Sequence, residues 1–248
     1  MQDTNDNWAV LVSASRYWFN YRHSTNALIL YRQLRQNGFP DERIVLMLAD
    51  DVAGNSRNRF PNKIFHASGL EENLFIPDIQ VDYKGRTVTK ASFTDLLLGK
   101  HPEWLTSEKR LLSGPKSNVL VFLTGHGGDN FFKFQDFEEM TSTELSAIFG
   151  EMHKRGRYGQ LLFFMDTCQA ATMVSKLDAP NMLAISTSLK GQSSYSDVPN
   201  DELGLPLVDR FAKQFCEFLS ERLTEKTTLK HLVSLFIQGQ YSFVNPIS

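Results

Sequence analysis

NVLVFLTGHGG, residues 118–128, holds five consecutive apolar residues between Asn118 and Thr124, then breaks into Gly125-His126-Gly127-Gly128. A short run that is apolar on both faces describes a strand buried on both sides, as in a parallel sheet covered by helices. Four other runs read the same way: residues 8–14 (WAVLVSA), 44–49 (IVLMLA), 161–166 (LLFFMD) and 182–186 (MLAIS). Helical patterns lie between them. Ala27, Leu28, Tyr31 and Leu34 recur at helical spacing, and Gly38 with Pro40 stops that helix. Residues 140–157 form a second amphipathic stretch with Thr141 or Ser142 as its cap. Val208, Phe211, Phe215 and Phe218 make the stripe of a third. Strands alternating with helices predict an α/β fold with right-handed crossovers. Residues 79–89 (IQVDYKGRTVT) read differently, as a small hairpin turning at Lys84-Gly85. No repeat or linker divides the chain, so one domain is expected over residues 1–248, with its core at about 7–223.

Composition narrows the class. The 248 residues are 42% hydrophobic and 22% charged, ordinary for a globular protein. A net charge of −2 without a basic run gives no footprint for nucleic acid. Two cysteines exclude a disulfide framework, and no C-x-x-C pair suggests structural zinc. There is no N-x-S/T sequon, no opening that reads as a signal peptide and no apolar run of membrane-spanning length. The stretch in hand is expected to be soluble, whole or as part of a longer chain. G-x-S-x-G, G-x-x-x-x-G-K-[ST] and H-E-x-x-H are all missing.

Chemistry gathers where strands end, because ligand sites of open α/β sheets form at the carboxyl edge. Residues 118–124 run into His126, and residues 161–166 run into Thr167-Cys168-Gln169. If those strands are neighbours, a thiol and an imidazole meet. The imidazole can then take the proton of Cys168 and make it a nucleophile. Without side chains nearby, the N–H of Gly127 can join that of Cys168 in an oxyanion hole. Either residue alone is more often a core cysteine or a turn histidine; their coincidence at two strand ends carries the reading. Asn20, Arg22 and His23, in RYWFNYRH at 16–23, follow the first strand and open onto the same edge. Cys216 reads as core beside the phenylalanine stripe. His66, His101, His153 and His231 read as solvated.

Seven blocks in order carry a family resemblance: WAVLVSASRYWFNYRH (8–23), DERIVLMLADDVAGNSRN (41–58), VDYKGRTVT (81–89), NVLVFLTGHGG (118–128), KFQDFEE (133–139), LLFFMDTCQA (161–170) and PNMLAIS (180–186). They resemble the glycosylphosphatidylinositol (GPI) transamidase branch of the legumain-like cysteine peptidases, within the caspase-fold clan. The resemblance implies a three-layer α/β/α sandwich around a six-stranded, mostly parallel sheet. It implies Cys168 as nucleophile, His126 as acid and base, and Asn20 orienting His126. Arg22 and His23 match positions lining the residue-binding pocket, and Asp166 stands where legumains carry Glu. It further implies no cofactor for catalysis but a structural calcium at Asp41, the Ile44 carbonyl, Gln80 and Asp82. Gln80 replaces an acid there, and fewer charges weaken such a site.

Gly125 stands where legumains proper carry Asp, which is similar to the transamidase branch. That branch implies a lumenal endoplasmic-reticulum enzyme acting with the other subunits of the GPI transamidase complex. It cleaves the C-terminal signal of precursor proteins and passes the acyl group to the ethanolamine amine of a GPI lipid. Weak or no activity is expected of the isolated chain. Many relatives carry a Cys where Gly54 stands, implicated in a disulfide to a partner subunit, so that link is in doubt here. The match fades after about Leu219, and the signal peptide and membrane span of many relatives are not seen; a piece of a longer protein or an unanchored member is expected. A legumain-like asparaginyl endopeptidase and a non-enzymatic caspase-fold module are the competing expectations.

Overall fold

The computed structural model describes residues 6–67, 69–76, 79–221, 227–228 and 242–244. The chain opens with β1 (Asn7–Ser13), α1 (Tyr21–Gln36), β2 (Ile44–Leu48) and β3 (Tyr83–Lys84). There follow α2 (Lys90–Leu98), β4 (Asn118–Thr124), and a small meander of β5 (Gly127–Gly128), β6 (Phe131–Phe134) and β7 (Glu138–Thr141). Next come α3 (Ser142–Lys154), β8 (Gln160–Asp166), α4 (Ala170–Val174) and β9 (Met182–Ser186). A two-residue pair, β10 (Pro199–Asn200) and β11 (Leu205–Pro206), precedes α5 (Arg210–Glu221) and β12 (Ser242–Val244).

Among the described residues the main sheet runs β12-β9-β8-β4-β1-β2-β3. Six of these strands are parallel to their neighbours. β12 joins β9 antiparallel at one edge, as a seventh strand beside the expected six. Register is what builds the site. Leu48 pairs with Ser13, Ser13 with Thr124, and Thr124 with Asp166, so four strands end in one row. Whatever follows those residues shares one rim.

Side-chain alternation splits the core into two. On β1, Val10 and Val12 join Phe93 of α2, Phe149 of α3 and Met173 of α4. Ala9 and Leu11 join Leu28 of α1 and Phe211 and Phe215 of α5 on the opposite face. The same alternation sends Phe163 toward Phe149, with ring centroids 5.0 Å apart, and Phe164 toward Phe215 at 4.8 Å. Each such buried ring contributes roughly 2–3 kcal/mol of apolar transfer. Helices therefore cover both faces, and the three-layer sandwich follows.

Local signals set the helix ends. Thr141 caps α3, its hydroxyl accepting from Glu144 N while the Glu144 carboxylate accepts from Thr141 N. Past α1, Gly38 takes φ 86, a conformation open to glycine without strain. The expected hairpin at residues 79–89 is not formed. Asp82 N donates to Leu46 O at 2.9 Å, and Leu46 N donates to the Asp82 carboxylate at 2.8 Å. Those bonds lay Tyr83-Lys84 parallel to β2. Thr87 Oγ1 then bonds both Lys84 N and Lys84 O, each at 2.9 Å, and winds residues 85–87 into a 3-10 turn. Only Tyr83-Lys84 of the expected hairpin is a strand, and its partner is the distant β2.

Candidate active site

His126 lies two residues beyond Thr124, and Cys168 two residues beyond Asp166. Because Thr124 and Asp166 are paired across β4 and β8, the backbone segments that carry His126 and Cys168 leave the sheet from neighbouring positions. Gly125 N donates to Asp166 O at 3.2 Å and holds the two exits together. Cys168 is half-buried and unpaired by any disulfide. Gln169 follows it in the left-handed region, φ 54, and turns the chain sharply into α4.

Asn20 completes the row. Its Nδ2 donates to Arg16 O at 2.6 Å, which leaves Oδ1 as the atom facing His126 Nε2 at 2.8 Å. An amide oxygen only accepts, so Nε2 carries the hydrogen and the neutral ring keeps Nδ1 free as a base. Burial lowers the pKa of His126 below the ordinary histidine value, and the Arg22 charge lowers it further. The ring is thus neutral at neutral pH, able to accept a proton. The edge of His23 meets it, with centroids 5.0 Å apart and planes at 81°.

Gly127 has no room for a side chain. A β-carbon there would stand 2.6 Å from Thr167 Oγ1 and 2.8 Å from Phe131 O. The bare backbone is what lets this loop close over the end of β8, beside Cys168.

Arg22, His23 and Asp166 also come together, around a residue that sequence reasoning missed. Arg22 Nε lies 3.1 Å from Asp209 Oδ1, and His23 Nε2 lies 3.8 Å from Asp209 Oδ2. Asp209 and Asp166 are both buried, and Asn26 Nδ2 bonds both, at 2.6 and 3.2 Å. Burial and the neighbouring Asp166 push the Asp209 carboxyl up to about 7 against the pull of Arg22. Thr187 and Ser194 hydroxyls donate to Asp166 at 2.9 and 3.0 Å. Asp209 precedes α5, where an acid reads as a helix-end residue, so nothing in the sequence ties it to position 22. Asn26, a poor helix former inside an apolar stripe, was the one visible signal.

The sequence profile of the family described as "Peptidase C13 family" matches residues 7–238. This chain belongs to the peptidase C13 family. Among similar C13 proteins is the "GPI-anchor transamidase" of Schizosaccharomyces pombe, 46% identical over 224 residues, covering 90% of this chain and 59% of that protein. The "GPI-anchor transamidase" of Saccharomyces cerevisiae is 45% identical over 224 residues, covering 90% and 54%. The human one is 46% identical over 216 residues, covering 87% and 55%. The chain thus spans little more than half the length of these curated relatives. A crystal structure of caspase-1 from Spodoptera frugiperda superposes with a TM-score of 0.53 at 13% identity, covering 94% of this chain and 77% of that one. That likeness speaks to the fold, which is caspase-like.

Other expected positions of this C13 chain fall elsewhere. Asp41, Ile44, Gln80 and Asp82 line one cavity of about 200 Å³ with Glu42 and Glu108, on the far side of β2 from Cys168. Among the described residues no three His, Cys, Asp or Glu side chains group tightly enough to hold a metal by themselves. A cation there would need the Ile44 carbonyl and the Gln80 amide, and that all-oxygen set suits a hard ion. Gly54 is exposed, and a β-carbon on it would stand 2.5 Å from the Asp51 carboxylate that accepts from its N–H. Cys216 is core, as expected, and burial pushes its thiol far up. His66, His101 and His153 are half-buried rather than solvated, and His231 lies outside the described residues. No helix among the described residues is long and apolar enough to cross a membrane.

Proposed function

We propose that this chain is the catalytic part of a GPI transamidase, with Cys168 as nucleophile, His126 as acid and base, and Asn20 orienting His126. The observation that carries the reading is the Asn20–His126 bond beside Cys168, which leaves the ring's Nδ1 as its proton acceptor. His126 takes the Cys168 proton, and sulfur attacks the carbonyl of a small residue near the precursor's C-terminus. The N–H groups of Gly127 and Cys168 hold the oxyanion, an arrangement worth about 3 kcal/mol per donor. As the C–N bond breaks, His126 returns its proton to the leaving amine, and a thioester remains on Cys168. The ethanolamine amine of the GPI lipid then attacks. His126 accepts its proton, the C–S bond breaks, and the thiol is restored as the new amide leaves.

Arg22, His23 and Asp166, with Asp209, would line the pocket for the acyl residue. The name "GPI-anchor transamidase" carried by the relatives supports a precursor protein and a GPI lipid as substrates. On the same reading the chain acts with other transamidase subunits at the lumenal face of the endoplasmic reticulum. A structural calcium would sit at Asp41, Ile44, Gln80 and Asp82, with no part in the chemistry; loss of thermal stability in EGTA, reversed by Ca²⁺, tests it.

The acyl transfer is tested by mass spectrometry of the chain with an activated acyl peptide ending in a small residue, with and without hydrazine. An adduct on Cys168 that partitions to the hydrazide, absent in Cys168→Ala and reduced in His126→Ala, is the expected result. Adduct passing only to free acid would make the chain a legumain-like peptidase instead. Absence of any adduct on the unmodified chain counts against the reading for the chain alone.

A further inference from the structure

Asn26, fully buried in the second turn of α1, makes more polar contacts than any role in its own helix requires. Its Nδ2 faces three acceptors: Thr124 Oγ1 at 3.1 Å, Asp166 Oδ2 at 3.2 Å and Asp209 Oδ2 at 2.6 Å. Its Oδ1 accepts from Asp209 N at 3.0 Å. An amide nitrogen has two hydrogens. Thr124 supplies its own hydroxyl hydrogen to Asp166 Oδ2 at 3.2 Å and keeps its lone pairs, so one amide hydrogen goes to Asp209 Oδ2 and the other is shared between Thr124 Oγ1 and Asp166 Oδ2. Asp166 Oδ1 is meanwhile filled by Thr187 and Ser194. The charged and titratable groups facing the pair are Arg22 and His23 from α1, with His126 behind His23. Two carboxylates facing one guanidinium in a dry site do not both ionise at ordinary cost.

We infer that Asn26 is a positioning residue of the acyl pocket: it clamps Asp166 to Asp209 as a pair holding one proton, so that one negative charge balances Arg22. The pocket wall is then electrically neutral, suited to a small uncharged side chain of the acyl donor. A charged donor residue would leave an unmatched charge in a buried site. This inference rests on the acyl-transfer reading for its consequence, though the clamp itself is a matter of proton count.

The test compares the unmodified chain with Asn26→Asp, and with Asn26→Asp combined with Asp209→Asn. The single change replaces the shared donor by a third acid. The double change exchanges amide and carboxyl across the same bond and restores the charge. Carboxyl titration by NMR of ¹³C-aspartate-labelled chain reads the clamp directly. In the unmodified chain a buried carboxyl titrates at about 7; Asn26→Asp moves that step upward, and the exchange brings it back. Acylation of Cys168 by an alanyl peptide thioester reads the pocket. Asn26→Asp raises the half-saturating donor concentration about tenfold, the size expected of a disrupted buried polar pair, and the exchange recovers most of it. Alkylation of Cys168 by iodoacetamide, which needs no pocket, stays as in the unmodified chain. Asn26→Ser, which keeps one donor, replaces Asn26→Asp if the latter does not fold, and is expected to give the same losses at smaller size. An unmoved titration overturns the inference, as does a loss of acylation that the exchange does not repair. If the unmodified chain forms no acyl adduct, the acyl-transfer reading fails for the chain alone while the titration still decides the clamp.

Discussion

The hydroxyl of Thr167 lies against the Cα of Gly127, 2.6 Å from the point a β-carbon would occupy. The contact joins the residue before the proposed nucleophile to the residue after the proposed base, at the loop whose N–H is the proposed oxyanion donor. Gly127→Ala must push the loop off Thr167 and off the Phe131 carbonyl, which is backbone and cannot yield as a side chain does. Acylation of Cys168 is expected to fall by about 100-fold or more, the loss typical of one oxyanion donor. Rates from rapid-quench mass spectrometry check it; a variant within threefold of the parent would remove Gly127 from the oxyanion hole.

That same Thr167 hydroxyl is buried and has no hydrogen-bond partner among the described residues. Leaving a buried donor unmatched costs about 1–3 kcal/mol. Thr167→Val keeps the shape and removes the hydroxyl, so thermal unfolding should show unchanged or raised stability.

Asn20 is expected to act through the ring it orients. Asn20→Ala frees Nε2 and Nδ1 to exchange roles, and acylation should fall by roughly 100-fold, within the range of general acid–base effects. Asn20→Asp keeps an acceptor at the same place but adds a negative charge, which raises the His126 pKa. Its activity should therefore survive in part, with the acid limb of the pH–rate profile moved upward. An Asn20→Asp profile superimposable on the parent's would exclude this role.

His23 makes folding stability depend on pH. Its ring is buried, and burial, then Arg22 and His126, hold its pKa well below the ordinary value. Below about 6.5 the unfolded chain binds a proton that the folded chain refuses, so this contribution is present above that pH and lost on acidification. Asp209, raised to about 7, works the other way over the same window, because its folded form binds the extra proton. His23→Gln isolates the first effect. Between pH 7.5 and 5.5 the variant should lose about 1 kcal/mol less stability than the parent, measured by urea unfolding.

The two thiols should separate cleanly. Iodoacetamide is expected to add one group to the native chain, at Cys168, and two in denaturant, since Cys216 sits in the phenylalanine core of α5. Native labelling of Cys216 would mean that α5 opens far more readily than its packing suggests.

Five strands and three helices could be read from the sequence, because burial on both faces leaves an unbroken apolar run and helical packing a stripe at 3.6 spacing. Residues 118–124 and 182–186 even match their strands in length. That His126 and Cys168 follow neighbouring strands was legible for a related reason: both sit at strand ends, and parallel strands of one sheet finish on one rim. What a local pattern does not contain is the identity of a distant partner. Residues 79–89 read as a hairpin, but the bonds between Asp82 and Leu46 decided that Tyr83-Lys84 instead lies parallel to β2. Asp209 is 187 positions from Arg22 in the chain and 3.1 Å from it in space. The sequence by itself thus determined the layers and the rim at which His126 and Cys168 emerge, through burial and periodicity. The tertiary structure alone decided the His126 tautomer and the acid pair clamped by Asn26, because hydrogen-bond geometry and shared protons depend on atoms that only folding brings together.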